Sequence, residues 1–166
     1  MNILRPDLYV DSLHDIPMGR LHNKGIRGFV LDLDNTITEW NNKEVTPEVI
    51  EWFKKADAKG FKLCIASNNN EDRVARVGRM LGVPFLSKAA KPRRRAYRKA
   101  LSLLELDQKE LAVVGDQVFT DVLGGNRAGL YTILVAPISS VEFFGTRIMR
   151  RVERLVLPFL SKNEVK

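Results

Sequence analysis

Asp32 and Asp34 stand two positions apart where an apolar run, GFVLDLDNT, gives out. In an extended chain alternate residues share a side, so the two carboxylates face the same way unless the chain has begun to turn. Like charges that close are unfavourable without a cation near them. Three more apolar runs end on groups of similar use: FKLCIA on Ser67-Asn68, VPFLSKAA on Lys91-Pro92, and ELAVV on Gly115-Asp116, with Asp121 five residues further on. In an open parallel sheet ligands bind beyond the carboxyl ends of the strands. Two acids, a hydroxyl with an amide, a lysine and a further acid are therefore expected to meet on one edge. Hard carboxylate oxygens from Asp32, Asp34 and Asp116 suit Mg²⁺, which takes few protein carboxylates and leaves room for water and a substrate phosphate.

Each group alone has an ordinary explanation. Asp-Leu-Asp-Asn fits a solvated turn, Ser67 and Asn68 fit the cap of a helix beginning near Asn70, Lys91 fits a solvated basic run, and Asp121 fits the exposed face of a helix. Their order along the chain, one group per strand end, favours a single site.

The elements that must position them alternate. GFVLDLD precedes the helical pattern TPEVIEWFKKADAKG; FKLCIAS precedes EDRVARVGRMLG; a brief VPFLSKA precedes PRRRAYRKALSLLEL; ELAVVGD precedes VFTDVLGGNRAG; and YTILVAP closes the series. Strands alternating with helices of this length predict a doubly wound α/β layer with a parallel sheet covered on both faces. Thr46-Pro47-Glu48 combines a capping hydroxyl, a first-turn proline and an acid, and Pro92 is expected to open the third helix. Gly60, Gly82 and Gly129 stand where left-handed caps end helices. Residues 1 to 27 form an N-terminal extension with a turn or short helix around DSLHDIP. Residues 28 to 135 form the core, and residues 141 to 160 read as one amphipathic helix.

The 166 residues suit one domain able to bury a continuous core. No apolar stretch approaches the roughly 18 residues of a membrane span, and MNILRPDLYVDS is charged too early for a signal-peptide core. Both features predict a cytoplasmic protein. The single cysteine, Cys64, lies in an apolar run, which excludes an intramolecular disulfide and a cysteine metal cluster and marks a core residue. A net charge of +7 points to an anionic partner: phosphate esters, nucleic acid or an acidic membrane surface. The segment Lys88 to Lys99, KAAKPRRRAYRK, contains three lysines, four arginines and no acid, so it alone carries +7.

DLDNT at 32 to 36, Ser67-Asn68, Lys91-Pro92 and GDQVFTD at 115 to 121 together resemble the four motifs of the haloacid dehalogenase (HAD) superfamily of phosphohydrolases. The resemblance implies a HAD-like Rossmannoid fold and a Mg²⁺-dependent phosphatase. It casts Asp32 as nucleophile and Asp34 as general acid and base. Ser67, with backbone help from Asn68, would hold phosphoryl oxygens, and Lys91 would neutralise nucleophile and phosphate. Asp116 would hold the metal with Asp32 and the main-chain carbonyl of Asp34. Thr36 would support the first motif, and Asp121 would steady the site from its rim. A receiver domain, the non-enzyme competitor, needs an adjacent acidic pair after its first strand and a lysine after its fifth, an order absent here. No GK[ST] loop follows a strand, so a P-loop is excluded.

About ten residues separate the first motif from its helix, and the interval from Ser67 to Lys91 is consumed by one helix and one strand, so no cap domain is expected. An uncapped site is open. Either a second subunit covers it, in a homo-oligomer, or the phosphate is carried on protein, nucleic acid or lipid. On the last helix, at about 100° per residue, Phe144, Ile148, Val152, Leu155 and Phe159 fall within roughly 80°, with Arg147, Arg150, Arg151 and Arg154 on another side. A helix packed on the sheet and a helix lying on a membrane surface both have this pattern. RPDLYVDSLHDI, GFVLDLDNTIT, SNN, AAKPRRRAYRKAL, VGDQVFTDVLGGNRAG and TRIMRRVERL resemble the small capless subfamily IIIA, which includes the bacterial YqeG proteins and the mitochondrial and plastid phosphatidylglycerophosphate phosphatases. That resemblance implies a phosphatidylglycerophosphatase of phospholipid metabolism, peripheral at the inner face of the membrane. Two other readings stand beside it: a phosphatase of soluble small molecules or phosphoproteins, and a nucleic-acid-binding protein with a vestigial site. The last is disfavoured because no RNA or DNA module is recognisable.

Overall fold

The structure, a computed structural model, describes residues 2–40, 42–139, 144–156 and 158. Six parallel strands form one sheet: β1 (Leu8–Val10), β2 (Gly28–Leu31), β3 (Lys62–Ala66), β4 (Phe85–Leu86), β5 (Leu111–Gly115) and β6 (Tyr131–Val135). Their order is β1-β6-β5-β2-β3-β4. The chain runs outward from β2 through β3 to β4, then crosses back to β5 and proceeds the other way. The reversal between β2 and β5 is the point at which open α/β sheets bind ligands.

Strand alternation sorts the core into two layers. Phe29 and Leu31 of β2, Leu63 and Ile65 of β3, and Ala112 and Val114 of β5 pack on one face with α2 (Pro47–Ala58) and α3 (Glu71–Leu81). Their neighbours Val30, Cys64, Ala66, Leu111 and Val113 pack on the other, against Tyr97, Ala100 and Leu104 of α4 (Arg94–Leu104) and Ala128 of α5 (Leu123–Ala128). Because both faces are covered, nearly every residue of β2, β3 and β5 is apolar. Phe29 lies 4.7 Å from Phe61 and 5.9 Å from Trp52 between ring centroids, fixing α2 over the sheet centre. Burial pushes the Cys64 thiol up to about 12, as expected of an inert core residue.

The local signals act as their chemistry requires. Thr46 accepts from the Val49 N–H with Pro47 at the first helical position, and Gly82 and Gly129 take left-handed conformations at the ends of α3 and α5. Pro92 does not open its helix. The Lys91-Pro92 bond is cis, and α4 starts only at Arg94.

The N-terminal extension is more structured than expected. Besides a short 3₁₀ turn (Leu13–Asp15) and α1 (Met18–Asn23), it supplies the edge strand β1. The strand is anchored by Asp7, whose N–H donates to the Thr132 carbonyl at 2.9 Å and whose Oδ2 accepts from the Thr132 N–H at 2.8 Å.

The last helix, α6, spans Phe144–Val156; the remaining positions of the expected 141 to 160, namely 141–143, 157, 159 and 160 apart from Pro158, lie outside the described residues. The described part of its apolar face is turned away from the sheet. Ile148, Val152 and Leu155 are exposed, Leu155 to 72%, whereas Glu153 is 2% exposed. Glu153 turns inward because its Oε1 accepts from the Phe119 N–H at 3.2 Å, at the start of the turn after β5. No helix among the described residues is long and apolar enough to cross a membrane.

Candidate active site

β2 ends at Leu31, so Asp32 and Asp34 both stand beyond the strand. The Asp32 N–H still donates to the Val114 carbonyl at 2.8 Å, which ties the first aspartate to the end of β5. Beyond it the chain turns sharply. Asn35 has a φ of 60° and donates its N–H to the Thr38 carbonyl, so Asp34 is held by different neighbours from Asp32.

Asp32 belongs to a buried floor. The Lys91 Nζ donates to Asp32 Oδ1 and to Asp121 Oδ1, each at 2.7 Å. Burial raises the Asp32 carboxyl above its ordinary range; the Lys91 charge opposes this and the Asp121 charge adds to it. Burial works against the charge on Lys91, but Asp121 and Asp32 outweigh it and hold the ammonium above the usual lysine range. The Lys91 main chain is fixed by Asn68, whose Oδ1 accepts from the Lys91 N–H at 2.8 Å and whose Nδ2 donates to the Lys91 carbonyl at 3.1 Å. The Asn68 side chain is thus occupied with the loop, and its backbone N–H is the group available to a phosphate. Ser67 is buried, and its Oγ accepts from the Asn69 N–H at 3.1 Å.

Asp116 closes the floor from β5, and the Thr36 hydroxyl donates to its Oδ1 at 3.2 Å. Asp121 was expected at the rim; the structure puts it in the floor, 1% exposed. The cause is the turn after β5, which is a π-helical turn (Val118–Val122). The Val122 N–H reaches back to the Gln117 carbonyl, and the extra residue per turn swings Asp121 inward. Gly115 is what lets it fit, since a Cβ there would lie 2.1 Å from the Asp121 Cγ. Tyr97 fixes the same turn from α4, donating its hydroxyl to the Thr120 carbonyl at 3.0 Å.

Asp34 belongs to an outer rim. Arg73, on the first turn of α3, donates to its Oδ1 through Nε at 2.9 Å and NH2 at 2.6 Å, and Asn69 donates Nδ2 to its Oδ2 at 2.9 Å. The same guanidinium donates to the Thr38 hydroxyl, the Glu39 carbonyl and the Asn42 carbonyl, lacing the loop after β2 to α3. Sequence reasoning missed Arg73 and the role of Asn69. The available signal was position: Arg73 lies four residues after Asn69, on a helix that begins at the carboxyl edge.

The carboxylates of Asp32, Asp116 and Asp121 come within 4.8 Å of one another. The three carboxylates are buried together, Lys91 pairs with those of Asp32 and Asp121, and the donors are hard oxygens. This donor set fits a divalent cation. Asp121 has both oxygens engaged, by Lys91 and by the Gln117 N–H, so Asp32 and Asp116 are the residues that would hold the cation. The Asp34 side chain is outside this group.

The family model for haloacid dehalogenase-like hydrolases matches residues 21–129, which span every one of these groups. The chain belongs to the haloacid dehalogenase-like hydrolases. It is 44% identical over 158 residues to the probable phosphatase YqeG of Bacillus subtilis, covering 95% of this chain and 92% of that one. It is 28% identical to the chloroplastic/mitochondrial phosphatidylglycerophosphate phosphatase 1 of Arabidopsis thaliana, over 95% of this chain, and spans about half of that protein (47%). The mitochondrial phosphatidylglycerophosphatase of Saccharomyces cerevisiae is also 28% identical, over 81% of this chain and 78% of its own. Among solved structures, the cobalt-bound deoxy-D-mannose-octulosonate 8-phosphate phosphatase of Haemophilus influenzae superposes with a TM-score of 0.55 at 16% identity, covering 69% of this chain and 72% of that one, which supports the fold alone. The protein is a HAD phosphatase of the YqeG type, and enzymes of this family generally use a divalent metal.

Proposed function

We propose that the protein hydrolyses phosphomonoesters through an aspartyl-phosphate on Asp32, with Mg²⁺ as its metal and phosphatidylglycerophosphate as its substrate. The observation that carries the chemistry is the unlike setting of the two aspartates. Asp32 is pinned by Lys91 in a dry floor, while Asp34, with 18% of its side chain exposed, is held at the mouth by Arg73.

In this reading an Asp32 oxygen forms the new bond to phosphorus as the bond to the substrate oxygen breaks, and Asp34 gives that oxygen its proton. The alcohol leaves. Asp34 then takes a proton from water, whose oxygen displaces Asp32 and releases phosphate. Lys91, the Ser67 hydroxyl and the Asn68 N–H neutralise or hold the transferring oxygens in a low-dielectric pocket, where such donors are worth most. A cation held by Asp32 and Asp116 would add charge neutralisation there.

The lipid substrate is supported by the two relatives named as phosphatidylglycerophosphate phosphatases and by the absence of an inserted cap. Only a loop separates Asp34 from α2, and only α3 and β4 lie between Ser67 and Lys91. The test is turnover by purified protein, with Mg²⁺, of phosphatidylglycerophosphate in detergent micelles against a panel of sugar phosphates, nucleotides and phosphopeptides. Preference for the lipid by at least about tenfold in kcat/KM is expected; better turnover of a soluble ester overturns the substrate.

A further inference from the structure

The sequence of α6 and the following residues to Pro158, FGTRIMRRVERLVLP, contains one acid, Glu153. The structure turns that acid inward, to the Phe119 N–H. The described side chains left outside are apolar or cationic: Ile148, Met149, Val152 and Leu155 with Arg151 and Arg154. A helix that normally hides its aliphatic stripe against a sheet here presents it to the surroundings. The Glu153 contact also fixes where the helix lies. Phe119 is two residues from Asp121, so α6 is fastened to the catalytic edge of the sheet.

A second observation comes from α4. Its first turn carries Arg94 and Arg95 after the cap position Arg93, all exposed, with no acid in that turn. Cations at a helix N-terminus oppose the helix dipole, so an anion beside this turn would be favoured. The turn begins two residues after Lys91 and therefore lies on the same edge as α6.

We infer that α6 and the first turn of α4 form a docking surface for an anionic lipid bilayer, with Ile148, Val152 and Leu155 entering the acyl boundary and the arginines lying among the headgroups. The inference rests on the lipid reading above and extends it to how the enzyme is held at its substrate. An amphipathic helix with an arginine face binds in this way, its strength set by apolar area and by attraction to anionic lipid. Charge decides against a second copy of the chain as the occupant. Pairing this face with itself would oppose arginine to arginine, whereas headgroup phosphates neutralise them.

The test is co-sedimentation of the full chain with vesicles of phosphatidylglycerol and phosphatidylcholine, alongside hydrolysis of p-nitrophenyl phosphate as a soluble control. Wild-type protein is expected to sediment with mixed vesicles, to be released by salt, and to ignore pure phosphatidylcholine. Changing Val152→Asp with Leu155→Asp, or Arg151→Glu with Arg154→Glu, is expected to weaken vesicle binding on the order of a hundredfold. These exposed positions lie outside the catalytic groups, so soluble turnover is expected to stay within about twofold. Absence of vesicle binding, binding unchanged in both variants, or a dimer that the Leu155 change dissociates without any vesicle binding each overturns the inference. Hydrolysis of phosphatidylglycerophosphate in detergent separates the two claims. Vesicle binding without that hydrolysis removes the substrate and leaves the docking surface, and hydrolysis without vesicle binding does the reverse.

Discussion

The floor and the rim of the site hold one aspartate each and treat them oppositely. The floor gathers Asp32, Lys91, Asp116 and Asp121 from three different strand ends and buries them. The rim joins two loops and a helix, Asp34 and Thr38 after β2 with Asn69 after β3 and Arg73 on α3, and its carboxylate remains partly exposed. A nucleophile needs a fixed line of attack and a dry setting in which charge is strongly felt. A proton carrier needs a leaving group on one side and water on the other. Two residues of the same type, one leucine apart, acquire such different settings because the chain leaves the strand at Leu31 and turns at Asn35, which suits the roles proposed for them.

The contrast is broken most completely by Asp32→Asn. Loss of the attacking oxygen is expected to lower kcat by about four orders of magnitude or more, read from initial rates on any accepted ester; retained turnover would remove Asp32 as nucleophile. Next comes the cation of the floor. Lys91→Met leaves buried carboxylates facing one another, and breaking a buried pair in this way costs about 3–5 kcal/mol, to be read from urea unfolding in chelator. An unchanged midpoint would mean that the floor is not held by charge.

The rim responds more selectively. Asp34→Asn is expected to cost roughly 10²- to 10⁴-fold on an alkyl phosphate, the range for a lost general acid, and much less on p-nitrophenyl phosphate, whose leaving group needs no proton. Equal losses on both esters would place the cost in the water step that the two share, and not in protonation of the leaving group. The smallest effect is expected from Arg73→Ala, which keeps the carboxylate and frees it from its clamp: roughly 10- to 100-fold in kcat, smaller than loss of the acid itself, again with the alkyl ester hit harder. Loss as large as that of Asp34→Asn would move Arg73 from positioning the acid to contacting substrate.

Asp32 and Asp116 were legible in the sequence because each directly follows an apolar run that forms a buried strand. The rim was not, because Arg73 sits among polar residues of SNNNEDR, and nothing local separates a clamping arginine from a solvated one. Asp121 was found but misplaced. Its position depends on a π turn that adds one residue to a helical period and on the bare Cα of Gly115, and neither leaves a hydrophobic pattern. The direction of α6 goes with the inward turn of Glu153, whose carboxylate accepts from the Phe119 N–H, and no periodicity reveals that contact. β1 escaped notice because three residues, Leu8–Val10, give no alternation to count.

That short strand also constrains the order of assembly. Among the described residues its sheet neighbour is β6, and its anchor joins Asp7 to Thr132, 125 residues apart. Chains are made from the amino end, and contacts of such separation carry the largest loop-closure cost. The first strand synthesised therefore has to wait for β6, which is made after every strand that carries a group of the site.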